Sequence, residues 1–366
     1  MTVKKERNAG IELLRVLSMF MIVLLHCVSH TQLHTAISAS AAHSVSIYLP
    51  YGISQSAVNI YAMITGYVCL QSRHRPSRYV EIWLQVFALN AAFGLADIVK
   101  NGLRLKTLVH CLFPVASGTF WYFSSYTLLF LCMSYLNRLL LSLSKQQFKK
   151  LLLIFAAVST LAWLALYLFS QDVFATDTGY SPFWLMVLYC AGAYIKRFEA
   201  DFQGWKAGRC FAVFAILSVI NGLSIPAIDW VTTRLLGYST KNRFFVSYLS
   251  PTTILAAIAM VLCGLKLRIK RGKRAVILLG SLTFGIYIVH MQPFFRENII
   301  AEYFKNAANR AWYLAPVQLV GFALAVFFAC AVIEWLRKQI FRLLRMSQLA
   351  DRLAQKGSRL IHKVIS

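Results

Sequence analysis

Arg15 and His26 lie eleven residues apart in one apolar run, Ile11-Glu-Leu-Leu-Arg-Val-Leu-Ser-Met-Phe-Met-Ile-Val-Leu-Leu-His26. At about 100° per residue that spacing returns to within about 20° of whole turns, so both side chains fall on one helix face, roughly 16 Å apart along the axis. Ionisable groups inside an apolar helix are costly, and are kept for pairing or for function. A guanidinium near one end and an imidazole deeper in, with a reference pKa of about 6.5, suit anion binding and proton transfer within a bilayer. Glu12, one turn before Arg15, can pair with it at i,i+3. The plainer alternatives are an Arg15 that snorkels to the interface and a His26 that is a hydrogen-bonded core residue.

Three further groups could join such chemistry. The stretch Gln71-Ser-Arg73-His-Arg75-Pro-Ser-Arg78-Tyr packs Arg73, Arg75 and Arg78 between two apolar runs. Guanidinium forks suit phosphate bidentately, so a phosphate-bearing cytoplasmic donor would dock here; ordinary inner-loop charge is the alternative. Gly280-Ser-Leu-Thr-Phe-Gly-Ile-Tyr287-Ile-Val-His290-Met-Gln-Pro293 ends an apolar helix on His290, with Tyr287 one turn earlier to hydrogen-bond or stack. Glu334 closes the last apolar run, and its expected local partner is Lys338 at i,i+4. His30 and His34 follow His26 at one-turn intervals, and His pairs at i,i+4 can bind a metal or haem. No carboxylate or cysteine nearby completes a set, so chemistry without a metal is expected. Walker A, GxGxxG, GxSxG and HExxH patterns are absent from the sequence, which argues against nucleotide hydrolysis and soluble-type serine hydrolysis.

These residues need a membrane framework to position them. The 366 residues are 58% hydrophobic and only 14% charged, with mean hydropathy +0.60, whereas soluble domains are about 25% charged. Ten apolar spans are read near residues 10–29, 48–70, 80–98, 119–137, 151–170, 181–195, 210–225, 245–264, 276–292 and 312–334, giving an all-α integral membrane protein. The net charge of +25 would suggest nucleic acid for a soluble protein, but here it reads as orientation. With the N-terminus inside, the inner segments hold 28 Lys/Arg, the outer loops nine, and Arg15 completes the 38. By the positive-inside rule both termini are cytoplasmic, and no nucleic-acid partner is expected. The first run is too long for a signal-peptide core and is expected to be retained. Most of the eight cysteines sit in apolar runs without a CxxC pair, so buried thiols are expected rather than disulfides or zinc. Residues 8–338 form the transmembrane domain, and 339–366 a basic amphipathic cytoplasmic tail suited to anionic lipid.

In this order the pieces resemble the membrane acyltransferase-3 family of bacteria, which includes O-acetyltransferases of surface polysaccharides. Glu12-Leu-Leu-Arg15 followed by His26 is similar to the family's Arg-x10-His signature. Asn59-Ile-Tyr-Ala-Met-Ile-Thr65-Gly66-Tyr67 resembles its Phe-Phe-x-x-Ser-Gly-Tyr segment, with Tyr61 and Ala62 in place of the aromatic pair and Thr65 in place of Ser. Arg75-Pro-Ser-Arg78 fits Arg-x-x-Arg, Phe120-Trp121-Tyr122-Phe123 the Trp-Tyr-Leu stretch, Ser281–His290 the ninth-span motif, and Ile333-Glu334 the closing Glu. The resemblance implies a multi-pass enzyme of the bacterial inner membrane that moves an acyl group, most often acetyl, from cytoplasmic acyl-CoA to a sugar hydroxyl of a surface glycan or its lipid-linked precursor. It implies Arg75 and Arg78 near the CoA phosphates, His26 as general base or acyl carrier, and Arg15 either positioning the donor or stabilising developing charge. A transporter or flippase of an acyl or glycan species would share the embedded polar residues, and a haem or metal redox protein would use His26, His30 and His290.

Overall fold

Several helices start where the sequence supplies caps. Asn8 accepts from the Gly10 and Ile11 amides at 2.9 and 3.3 Å and opens the first helix, Ser144 and Gln147 form a reciprocal capping box, and Ser181 precedes a proline at the first helical position. The structure is a computed structural model describing residues 7–31, 33, 40–72, 75–238, 243–304 and 311–365. Arg73 and His34 lie outside the described residues. The elements are α1 (Ala9–Ser29), α2 (Ala41–Ser54), α3 (Ala57–Cys69), α4 (Pro76–Asn101), α5 (Leu105–Leu112), α6 (Trp121–Ser142), α7 (Lys145–Phe169), α8 (Pro182–Arg197), α9 (Ala207–Leu236), α10 (Pro251–Lys266), α11 (Lys273–Gly280), α12 (Thr283–His290), α13 (Ala315–Leu343) and α14 (Met346–Ile365), with short helical turns between Pro293 and Tyr303. No strand occurs among the described residues.

Helix occupies each of the ten apolar regions, but not as ten uniform rods. Five helices, α1, α4, α7, α9 and α13, are long and apolar enough to cross a membrane by length and composition. A sixth crossing is available if α11 and α12, bent by 46° at Ser281–Leu282, count as one span. The run read as 48–70 is likewise two helices, α2 and α3, meeting at Gln55 and Ser56. The loop read at 99–118 contains α5, and the last span continues to Leu343 before α14 begins.

α1 is the axis of the bundle: 67% of its apolar window is buried, against 17–39% for the other four long helices. It packs on α2, α3, α10, α11, α12 and α13. Close approach depends on glycine: a Cβ on Gly66 would meet the Tyr189 backbone and one on Gly192 the Met63 backbone, which lets α3 and α8 cross with their main chains in contact. Outward faces of α4, α6, α7 and α9 carry exposed Leu95, Leu131, Leu161 and Ile216, an apolar girdle suited to lipid rather than water. All eight cysteines are free thiols.

Candidate functional site

A cavity of about 1210 Å³ runs into the bundle between α1, α3, α4, α6, α12 and α13. Eight cations line it (Arg7, Arg15, Arg75, Arg78, Lys196, Arg337, Lys338 and Arg342) against four carboxylates (Glu12, Glu81, Glu199 and Glu334). Most of these cations sit at the helix ends that form its mouth. Its wall on α6 runs from Met133 to Tyr122, a depth of roughly 16 Å by helical rise. It is a deep, net-positive recess suited to a polyanion with an extended arm.

The start of α1 and the C-terminal part of α13 each bring a paired carboxylate to this recess. Glu12, 5% exposed, accepts from Arg15 Nη1 at 3.3 Å through both oxygens, with Arg7 at 3.8 Å. Glu334, 1% exposed, takes a two-pronged contact from Arg337, Nε at 2.8 Å and Nη2 at 2.6 Å, and a third bond from Gln85 at 3.2 Å. Lys338 is not its close partner, contrary to the i,i+4 expectation. It donates instead to Ser281 Oγ at 2.7 Å, because Arg337 at i,i+3 takes the fork geometry that a carboxylate favours. Both carboxylates press on the broken span: a Cβ on Gly280 would overlap Glu12, and one on Gly285 would overlap the Glu334 carboxyl.

Arg75 caps α4 and Arg78 stands in its first turn, both lining the mouth. Arg78 pairs with Glu81 at 3.0 Å, and at 66% exposure its side chain remains open to an incoming anion. Tyr67 donates to Glu199 at 2.9 Å, and Lys196 lies 4.7 Å over the Tyr67 ring, on the opposite wall.

Further along α1, His26 and His290 form a buried imidazole pair, Nδ1 to Nε2 at 2.9 Å. His290 Nδ1 lies 2.7 Å from the Ile286 carbonyl, which can only accept. A neutral His290 therefore donates from Nδ1 and accepts at Nε2. His26 must then carry its proton on Nδ1, and its Nε2 is left as a bare lone pair with no hydrogen-bond partner among the described residues. His30 packs against His26 with ring centroids 5.3 Å apart and the ring planes tilted by 43°. No group of three or more His, Cys, Asp or Glu able to hold a metal occurs among the described residues.

The cavity does not reach this pair. Its blind end is formed by Tyr61, Tyr122 and Thr283, and the pair lies roughly 10 Å further along α12, seven residues beyond Thr283. Thr283 donates to the Gly280 carbonyl at 3.0 Å, so in the 3.0 Å Tyr61–Thr283 contact the tyrosine hydroxyl is the donor. Tyr122 packs edge-on against Tyr61 at 5.9 Å and Tyr287 at 6.1 Å, and Tyr287 meets His290 at 6.1 Å. The Tyr122 amide donates to the Tyr287 hydroxyl at 3.3 Å. Trp121 does not line the cavity; it packs edge-on against Tyr122 at 5.5 Å and against Tyr180 and Tyr248.

Of the residues singled out in sequence, Glu12, Arg15, Tyr67, Arg75, Arg78 and Glu334 thus share the cavity wall, whereas His26, Tyr287 and His290 form a second cluster behind it and Trp121 backs Tyr122 from outside both. Gln85 and the wall-forming role of Tyr122 were not signalled; both are single polar or aromatic residues on long helices, where periodicity shows a face but not a neighbour.

The acyltransferase-3 family model, described as an acyltransferase domain, matches residues 8–335. No curated protein and no solved structure matches the chain.

Proposed function

Because this membrane protein belongs to the acyltransferase-3 family over residues 8–335, we propose that it is an O-acyltransferase, using acetyl-CoA or another acyl-CoA as donor and a sugar hydroxyl of a surface polysaccharide, or of its lipid-linked precursor, as acceptor. The observation that carries this reading is the basic recess lined by Arg15 of α1, the same helix that carries His26 of the imidazole pair beyond the recess's end. The chain spans the bacterial inner membrane about ten times with both termini cytoplasmic, so the recess opens to cytoplasmic CoA and α14 rests on anionic lipid.

Arg75 and Arg78 receive the CoA phosphates at the mouth through charge-assisted bonds, the guanidinium fork matching phosphate oxygens two at a time. Arg15 serves the donor and not the reacting carbonyl, since roughly 16 Å of helix separates it from His26, beyond the reach of a guanidinium. The pantetheine arm spans that interval and presents the thioester past the tyrosines. His26 Nε2 takes the proton of the acceptor hydroxyl as its oxygen attacks the thioester carbonyl. The tetrahedral adduct then collapses, the carbon–sulfur bond breaks, and the proton held by His26 passes to the departing thiolate as an ester forms. His290 fixes the tautomer that makes this possible.

Mass analysis of surface glycan from cells with the gene, without it, and carrying His26→Ala tests the reading. Acyl groups are expected only with the wild-type gene; identical glycans from all three strains would overturn it.

A further inference from the structure

The tyrosines at the blind end have a consequence for the donor, one that rests on the acyl-CoA reading above. Tyr61 is tethered: its hydroxyl donates to Thr283, which is itself bonded to the Gly280 carbonyl at the break of the bent span. Tyr122 is wedged edge-on between Tyr61 and Tyr287, with its own amide tied to the Tyr287 hydroxyl. Beyond these rings the described side chains of α1 and α12 are closely packed. On the face of α1 between Arg15 and His26, Met19 is 2% exposed and Val23 0%, and across from them Ile286 is 0% and Tyr287 4%. An acyl carbonyl presented to His26 through this stop therefore meets packed side chains on the α1 and α12 walls, and each methylene added to it must displace them.

We propose that Tyr61, backed by Tyr122, is the chain-length determinant of the donor, restricting transfer to acetyl and comparably short acyl groups. The cavity mouth places no such limit, because it is wide and lined by charge; selection occurs only where the thioester end meets the rings. One methylene in a close-fitting pocket typically changes discrimination by about 10- to 200-fold, so four extra methylenes are expected to place hexanoyl-CoA at least about 100-fold below acetyl-CoA in kcat/KM. Removing the phenol ring opens space at that point.

The test uses membrane vesicles from the protein's own cells, with and without the gene, supplied with radiolabelled acetyl-, butyryl- or hexanoyl-CoA, and reads label in the glycan fraction. The wild-type series should fall steeply from acetyl to hexanoyl. Tyr61→Ala should narrow the acetyl-to-hexanoyl ratio by at least about 10-fold, while Tyr61→Phe, which keeps the ring, should hold the ratio within about 3-fold. Tyr61→Leu serves the same purpose should the alanine variant fail to accumulate. A flat wild-type series overturns the inference without any variant, as does an unchanged ratio in both smaller variants, and either leaves acyl transfer itself intact. Absence of gene-dependent label from every acyl-CoA overturns the acyltransferase reading and this inference with it.

Discussion

Replacing His290 tests whether the hydrogen bond between the two imidazoles does more than fill space. His290 accepts the Nδ1 proton of His26 at 2.9 Å, and the residues are 0% and 7% exposed. His290→Leu keeps a similar apolar volume and removes the acceptor. A buried donor left unpaired costs about 1–3 kcal/mol, and since about 1.36 kcal/mol is tenfold in rate, transfer should slow by about 5- to 160-fold. His26 can avoid the penalty only by shifting its proton to Nε2, which removes the lone pair the reaction needs, so the loss reaches kcat by either route. His290→Gln restores an acceptor at nearly the position of Nε2, and should recover at least tenfold over the leucine variant. The assay is label transfer from acetyl-CoA in vesicles, normalised to protein abundance, with kcat and KM for acetyl-CoA separated. A packing role would leave the glutamine and leucine variants equal. Equal rates in those two, or wild-type turnover in the leucine variant, refute the reasoning.

The other expectations use the same vesicles. His26→Ala and His26→Gln should both lose about 10²–10⁴-fold in transfer, since glutamine keeps the hydrogen bonding and not the basicity; an active glutamine variant would make His26 structural and move attention to His290. The double change Arg75→Ala with Arg78→Ala should weaken CoA binding in detergent at least tenfold while leaving the melting temperature in place, and unchanged affinity would return both to plain inner-loop charge. Gly285→Ala forces a methyl into the Glu334 carboxyl and, at about 1–3 kcal/mol for overpacking, should lower the melting temperature; an unaltered melt would mean the contact yields freely. Single cysteines placed at Ser40 and at Lys270 in a cysteine-free chain should label from opposite sides of the membrane, and labelling from one side would sink the topology.

Periodicity and composition made the helical class and the ten apolar regions readable, because burial of a helix face is written in the residues that form it. The eleven-residue interval likewise put Arg15 and His26 on one continuous helix, Ala9–Ser29. The breaks were less legible. Apolar runs at 48–70 and 276–292 look continuous, whereas in the fold 276–292 bends by 46° at Ser281, where Glu12 and Glu334 pack against Gly280 and Gly285 on either side of the break. The partner of Glu334 was misassigned because i,i+3 and i,i+4 are equally near in sequence, and the guanidinium fork decided between them. The His26–His290 bond joins residues 264 apart, and no local pattern encodes such a distance. The sequence offered both imidazoles as candidates, but only the fold makes them a pair.

One structural device accounts for both halves of the site. Two carboxylates inside a bundle are costly unless each is paired and hydrogen-bonded, and Glu12 and Glu334 each have an arginine of their own helix. Room for them exists because the span they flank offers Gly280 and Gly285 on either side of its break. The break in turn frees the Gly280 carbonyl to hold Thr283, and through it Tyr61. Seven residues further on, the same short helix carries His290 to His26. Charge pairing at the cavity, the aromatic stop and the orientation of the imidazole pair thus depend on the seating of a single eight-residue helix, α12. Loss of the Glu334–Gly285 contact should therefore disturb donor binding and His26 alignment together, raising KM and lowering kcat in one variant, whereas changes at Arg75 and Arg78, which touch only the mouth, should raise KM alone.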